Sequence, residues 1–144
     1  MQDLPHRYVV SASADAEREV SLETKGVASL PSQPPPEFGG PEGYWSPESL
    51  LTAAVADCFV LSFRAVARAS KLDWSKLECD VTGVLDRVEK RLCFTRFSIE
   101  ARLTLPGEDA REKAAQLLEK AEENCLVSAS LSAPVELDSE IVVA

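Results

Sequence analysis

Four cysteines, Cys58, Cys79, Cys93 and Cys125, are the residues of this 144-residue chain best equipped for covalent chemistry. A cysteine attacks as its thiolate, and burial among apolar side chains raises the thiol pKa, so a reactive buried cysteine needs a stabilising partner. A guanidinium suits that task, because it stays charged when buried and its fork of donors can hold a thiolate and a carboxylate together. The cysteines are widely spaced, form no Cys-x-x-Cys pair and are accompanied by the single histidine His6, so no metal site is expected. Helical spacing puts Leu51, Ala54, Cys58, Leu61 and Ala65 on one face, and Ala114, Leu118, Ala121 and Cys125 on another. Such faces fit a reactive thiol and also fit a cysteine that is only a small buried hydrophobe, a common fate of free cysteine.

The elements that must position these residues can be read along the chain. Residues 7–13 and 18–24, with Tyr8, Val9, Val10, Val20 and Leu22 around an Ala14-Asp15-Ala16 break, predict a hairpin. From Leu30 to Pro47 the chain is rich in proline and glycine (Pro34-Pro35-Pro36, Gly39-Gly40-Pro41, Gly43), which predicts a long loop. Ser46 as N-cap, Pro47 at the first helical position and Glu48 in the first turn start a helix expected to reach about Ser70. Its apolar residues, among them Leu50, Leu51, Val55, Phe59, Val60, Phe63 and Val66, surround the axis, so the helix should be buried on most sides. Asp57 and Arg64 interrupt it and argue against a membrane span.

Residues 76–88 and 92–105 predict a second hairpin across the charged turn Glu89-Lys90-Arg91. A helix follows from Asp109 to Asn124, with a stripe of Ala110, Ala114, Leu117, Leu118 and Ala121 that Cys125 continues. A last strand is expected from about Pro134 to Val143. These elements predict one α+β domain over residues 1–144, with strands flanking a long buried central helix.

Composition limits the function. Hydrophobic residues make up 45% of the chain, enough for one sizeable core. A formal charge of −9 repels a phosphate backbone, so nucleic acid is not an expected partner. The first residues, Met1-Gln2-Asp3-Leu4-Pro5-His6-Arg7, lack the apolar run of a signal peptide, so a cytoplasmic location with thiols initially reduced is expected.

Two segments carry a resemblance to a known family: Ser46-Pro47-Glu48-Ser49-Leu50-Leu51-Thr52-Ala53-Ala54-Val55-Ala56-Asp57-Cys58-Phe59, and Asn124-Cys125-Leu126-Val127-Ser128. They resemble the two cysteine signatures of the OsmC/Ohr family, in which Asn/Ser-Pro-Glu opens a helix that reaches Cys-Phe ten residues after the Glu, and Cys-Pro-Val/Tyr-Ser follows an amphipathic helix. Phe38-Gly39-Gly40-Pro41 is similar to the Leu-Gly-Gly segment that precedes the family's first helix. Two departures stand out: Leu126 replaces the proline, and Asp57 stands where the family has a small residue. Asp57 is expected to raise the pKa of Cys58.

The resemblance implies an OsmC-like fold of antiparallel strands around the central helix, an intertwined homodimer, and a peroxidase acting on organic hydroperoxides. It implies Cys58 as the nucleophile that becomes a sulfenic acid, Cys125 as the residue that resolves it to a disulfide, and Glu48 and Arg18 as the activating pair, with Arg7 as the competing arginine. It implies no bound cofactor and an external dithiol reductant of dihydrolipoyl type. Tyr44, Trp45, Phe59 and Phe63 are candidates to line an apolar funnel for the hydroperoxide, although core packing explains Phe59 and Phe63 equally well. Cys79 and Cys93 have no counterpart in the family and are read as packing residues. The competing reading is a non-catalytic member that binds a small molecule or senses redox state.

Overall fold

A computed structural model describes residues Met1–Ala144, which form two compact units, residues 1–50 and residues 51–144. The first unit is a small antiparallel sheet in the order β1 (Ser11–Ser13), β2 (Val20–Glu23), β3 (Leu30–Ser32). The predicted first hairpin is present but shorter, with Ser11 opposite Glu23 and Ser13 opposite Ser21. Tyr8, Val9 and Val10 precede the paired residues and are exposed.

The stretch expected to be only loop holds more structure than its proline content suggests. Leu30–Ser32 pairs with β2, and Pro31 is tolerated because β3 lies at the edge of the three-stranded ladder. Pro36–Phe38 forms one 3-10 turn, closed by Gly39 at φ 84°, and the Gln33 N–H donates to the Trp45 carbonyl at 2.9 Å. At Gly40 an added Cβ would lie 1.8 Å from the Pro34 carbonyl oxygen, so no larger residue fits that turn.

The long helix α1 spans Pro47–Ala69, as its start signals predict. Ser46 and Ser49 cap it reciprocally: the Ser49 N–H donates to Ser46 Oγ at 3.1 Å and the Ser46 N–H donates to Ser49 Oγ at 2.9 Å. Its burial is one-sided within the chain, which corrects the expectation of cover on most sides. Val55, Phe59, Phe63 and Ala67 are fully buried, whereas Leu61 keeps 49% of its surface and Asp57, Arg64 and Ala65 are exposed. By length and composition α1 could cross a membrane, but the core helix of a soluble protein passes the same test, and this one packs its buried residues into the core.

The second sheet has the order β4 (Lys76–Val88), β5 (Arg91–Leu105), β6 (Val135–Val143). β4 and β5 form the predicted hairpin, with Val88 opposite Arg91 across a two-residue turn in which Glu89 takes φ 58°. β6 runs parallel to β5, from Phe97 opposite Val135 to Leu105 opposite Val143, because α2 and α3 carry the chain back between them. Gly83 on β4 makes the helix seat: an added Cβ would lie 2.8 Å from both the Phe97 ring and Thr52 Oγ1 of α1.

α2 spans Arg111–Glu123, after a 3-10 turn at Glu108–Ala110, and buries Ala114, Leu117, Leu118 and Ala121 as its stripe predicts. Arg111 pins its start by donating to Glu108 at 2.7 and 2.8 Å and to the Ile141 carbonyl at 2.7 Å. The helix ends before Cys125. That residue is instead the N-cap of the short helix α3, Leu126–Ala129, so it sits on the corner between two helices and not on the α2 stripe.

Candidate active site

The fold brings Cys58 and Cys125 together. Cys58 comes from the fourth turn of α1, on the side next to the buried stripe, and is half-buried; Cys125 comes from the α2–α3 corner and is 1% exposed. Their thiols are near enough for each to shift the other's acidity, and both cysteines are free. Ser62, one helical turn beyond Cys58, places its hydroxyl 3.9 Å from the Cys58 sulfur, and the Ser128 hydroxyl donates to Cys125 Sγ at 3.2 Å.

The two thiols have opposite electrostatics. Burial pushes the Cys58 pKa up, but the Cys125 thiol, the Val127 N–H, the Ser62 hydroxyl and the Leu126 N–H all donate to its sulfur, and the balance falls below the ordinary thiol value. Burial pushes Cys125 up, its bond to Cys58 pushes it further, and the Ser128 hydroxyl and N–H only partly offset this. The negative charge therefore belongs on Cys58 and the proton on Cys125. Within one chain the groups that lower the Cys58 pKa come from residues 62 and 125–127.

This bears on both departures. A leucine at position 126 has a backbone N–H that a proline lacks, and that N–H is one of the Cys58 donors. Asp57 is exposed, and Cys58 moves down in spite of it.

The other candidate residues lie as follows. Glu48 is half-buried at the second position of α1, which runs unbroken to Cys58; at about 1.5 Å rise per residue the two stand roughly 15 Å apart along the axis. Arg18 is exposed and ion-paired with Asp15 at 3.4 Å, in a turn where the Asp15 carboxylate also accepts the Glu17 and Arg18 N–H groups at 2.9 and 2.8 Å. Arg7 is exposed too. Tyr44 and Trp45 are about half exposed in the first unit. Phe59 and Phe63 have no exposed surface and pack in the core, Phe63 edge-on to Trp74 at 5.3 Å, so packing accounts for both.

Cys79 is half-buried on β4 against the core, with a pKa raised by burial and then by Asp80; Cys93 is half-buried on β5 opposite Asp86. Sequence reasoning missed Ser62 and the N–H donors of Leu126 and Val127. Ser62 had a signal in its i+4 spacing from Cys58, but the donors had none, since they depend on where α3 begins.

Contacting thiols on a core helix and on the corner after a second helix, carried on an α+β scaffold, mark a two-cysteine thiol protein. The chain belongs to the OsmC-like protein family, whose model matches residues 39–140. Peroxiredoxin OsmC of Escherichia coli is 27% identical over 104 residues, covering 72% of this chain and 71% of that protein. The structure of an organic hydroperoxide resistance protein OsmC from Legionella pneumophila is 28% identical, with a TM-score of 0.73 over 96% of this chain and all of that one. An OsmC-like protein of unknown function from Vibrio cholerae shares the fold at a TM-score of 0.85 and 17% identity, over 96% of this chain and all of that one.

Proposed function

We propose that the protein is a thiol peroxidase that reduces organic hydroperoxides through Cys58 and Cys125. The observation that carries this reading is the opposed acidity of the two contacting thiols, which supports Cys58 as thiolate nucleophile and Cys125 as protonated partner. Attack of the Cys58 thiolate on the O–O bond releases an alcohol and leaves a sulfenic acid. Attack by the Cys125 sulfur forms the Cys58–Cys125 disulfide and expels water, and an external dithiol of dihydrolipoyl type, in a reducing cytosol, restores both thiols. The relatives named as a peroxiredoxin and as an organic hydroperoxide resistance protein support the reaction class.

The family match spans residues on both sides of the boundary between the two compact units, which supports a single OsmC-like domain. A homodimer fits the one-sided burial of α1, whose Leu61 and Ala65 side lacks cover within one chain. In that dimer Arg18 and Glu48 assist the thiol of the partner, since one arginine cannot easily span the roughly 15 Å between Glu48 and Cys58 of the same helix. Tyr44 and Trp45 are the remaining candidates for the apolar substrate wall. The test is consumption of cumene hydroperoxide with a dithiol: wild type turns over, Cys58→Ser does not, and equal rates in the two would refute the reading.

A further inference from the structure

Ser128 serves two environments at once. Its hydroxyl donates to Cys125 Sγ at 3.2 Å, and the same residue lines a cavity of about 350 Å³ at the end of α2, together with Glu122, Glu123, Leu131 and Val135. The volume is that of a small-ligand site. Its rim residues Glu123, Ala129, Ser132 and Pro134 are exposed, so the cavity is open to solutes. Cys58 contacts a different set of groups: Ser62 and the N–H groups of Leu126 and Val127.

We propose that this cavity admits the reducing thiol, that the reductant attacks Cys125 and not Cys58, and that Glu122 and Glu123 make the cavity select uncharged or cationic thiols over anionic ones. The inference rests on the Cys58–Cys125 disulfide of the preceding section. In thiol–disulfide exchange the attacked sulfur joins the reductant while the other leaves as thiolate, and the leaving group with the lower pKa departs faster. Attack at Cys125 expels Cys58 beside Ser62 and the N–H groups of Val127 and Leu126, which remain as donors once Cys125 is in the mixed disulfide, whereas attack at Cys58 would expel the sulfur held by Ser128 alone.

The steps balance. One thiolate of the dithiol bonds to Cys125 Sγ as the S–S bond breaks, and the electron pair goes to Cys58. The second sulfur of the dithiol then attacks the reductant's own sulfur in the mixed disulfide and expels Cys125 as a thiolate. The Ser128 hydroxyl and N–H hold that charge until it takes a proton. Two electrons pass from the dithiol, which leaves as its disulfide. Burial and then Glu123 raise the pKa of Glu122 above the ordinary carboxylate value.

The test starts from protein oxidised with diamide, which forms the disulfide without any hydroperoxide. Reduction is timed at about pH 8 with cysteamine, mercaptoethanol and mercaptoethanesulfonate, each rate corrected for thiolate fraction. Cysteamine should exceed mercaptoethanesulfonate by about fivefold or more at low ionic strength, and the ratio should shrink to about twofold in the double variant Glu122→Gln/Glu123→Gln. The same charge change at the hairpin tip, Asp86→Asn/Glu89→Gln, should leave the ratio as in wild type. With iodoacetamide present, peptide mapping should find mercaptoethanol on Cys125 and the alkyl group on Cys58. The reverse labelling, or a charge preference equal in the Glu122/Glu123 variant and wild type, overturns the proposal while leaving the peroxidase reading intact. Failure of diamide to form the Cys58–Cys125 disulfide overturns both.

Discussion

The Cys58 and Cys125 thiols are neighbours, and their interaction pushes their acidities in opposite directions. Cys125 donates and keeps its proton; Cys58 accepts and loses its own more readily.

The first expected outcome concerns pH. A lowered pKa means that the Cys58 thiolate is fully present above that pKa and is lost, about tenfold per unit, as pH falls below it. Peroxide consumption should therefore persist to lower pH than an ordinary thiol allows, and decline as pH falls through the Cys58 pKa. Iodoacetamide labelling followed by mass spectrometry should modify Cys58 first, with Cys125 and Cys79, both raised, reacting at higher pH. Fastest labelling at Cys79 would be incompatible with the site described.

Leu126→Pro tests the donor role of the backbone. Position 126 is the first residue of α3, where proline is accepted, and the preceding Cys125 has φ −69° and ψ 112°, a conformation compatible with a following proline. The fold should survive while Cys58 loses one N–H donor. Its labelling rate at neutral pH should fall by a few fold and recover when pH is raised. An unchanged pH profile would mean that the Leu126 N–H contributes nothing.

Ser128→Ala removes the hydroxyl that partly offsets the rise in the Cys125 pKa. Resolution of the sulfenic acid should slow, and dimedone trapping on Cys58 after a hydroperoxide pulse should increase several fold. Trapping at the wild-type level would leave Ser128 without a role in resolution.

Sharing of the site between subunits is checked by complementation. Cys58→Ser and Glu48→Ala chains, mixed through mild unfolding and refolding, should regain part of the activity that each parent lacks. A mixture as inactive as its parents would place each site within one chain.

Gly83→Ala addresses the scaffold. The new Cβ would press on the Phe97 ring and Thr52 where α1 meets β4, and thermal unfolding should report a loss of about 1–3 kcal/mol. No change in Tm would show that the helix seat relaxes freely.

Much of this arrangement was legible in the sequence, and the parts that were not share a cause. Ser46-Pro47 and the stripe of α2 located two helices because caps and periodicity are local signals. β3 hid in a proline-rich stretch because an edge strand tolerates Pro31, and the parallel course of β6 depends on how its crossover packs. The many apolar residues of α1 suggested burial all round, but composition cannot say whether a covering surface lies in the same chain. The donors to Cys58 were illegible for the same reason: Leu126 and Val127 matter through their backbone, which any residue but proline could supply.

The most direct measurement is the fate of the thiols after one equivalent of cumene hydroperoxide. Tryptic mapping should show two thiols lost per chain and a single cross-link between the peptides that carry Cys58 and Cys125. Retention of both thiols, or a main cross-link through Cys79 or Cys93, would contradict the account.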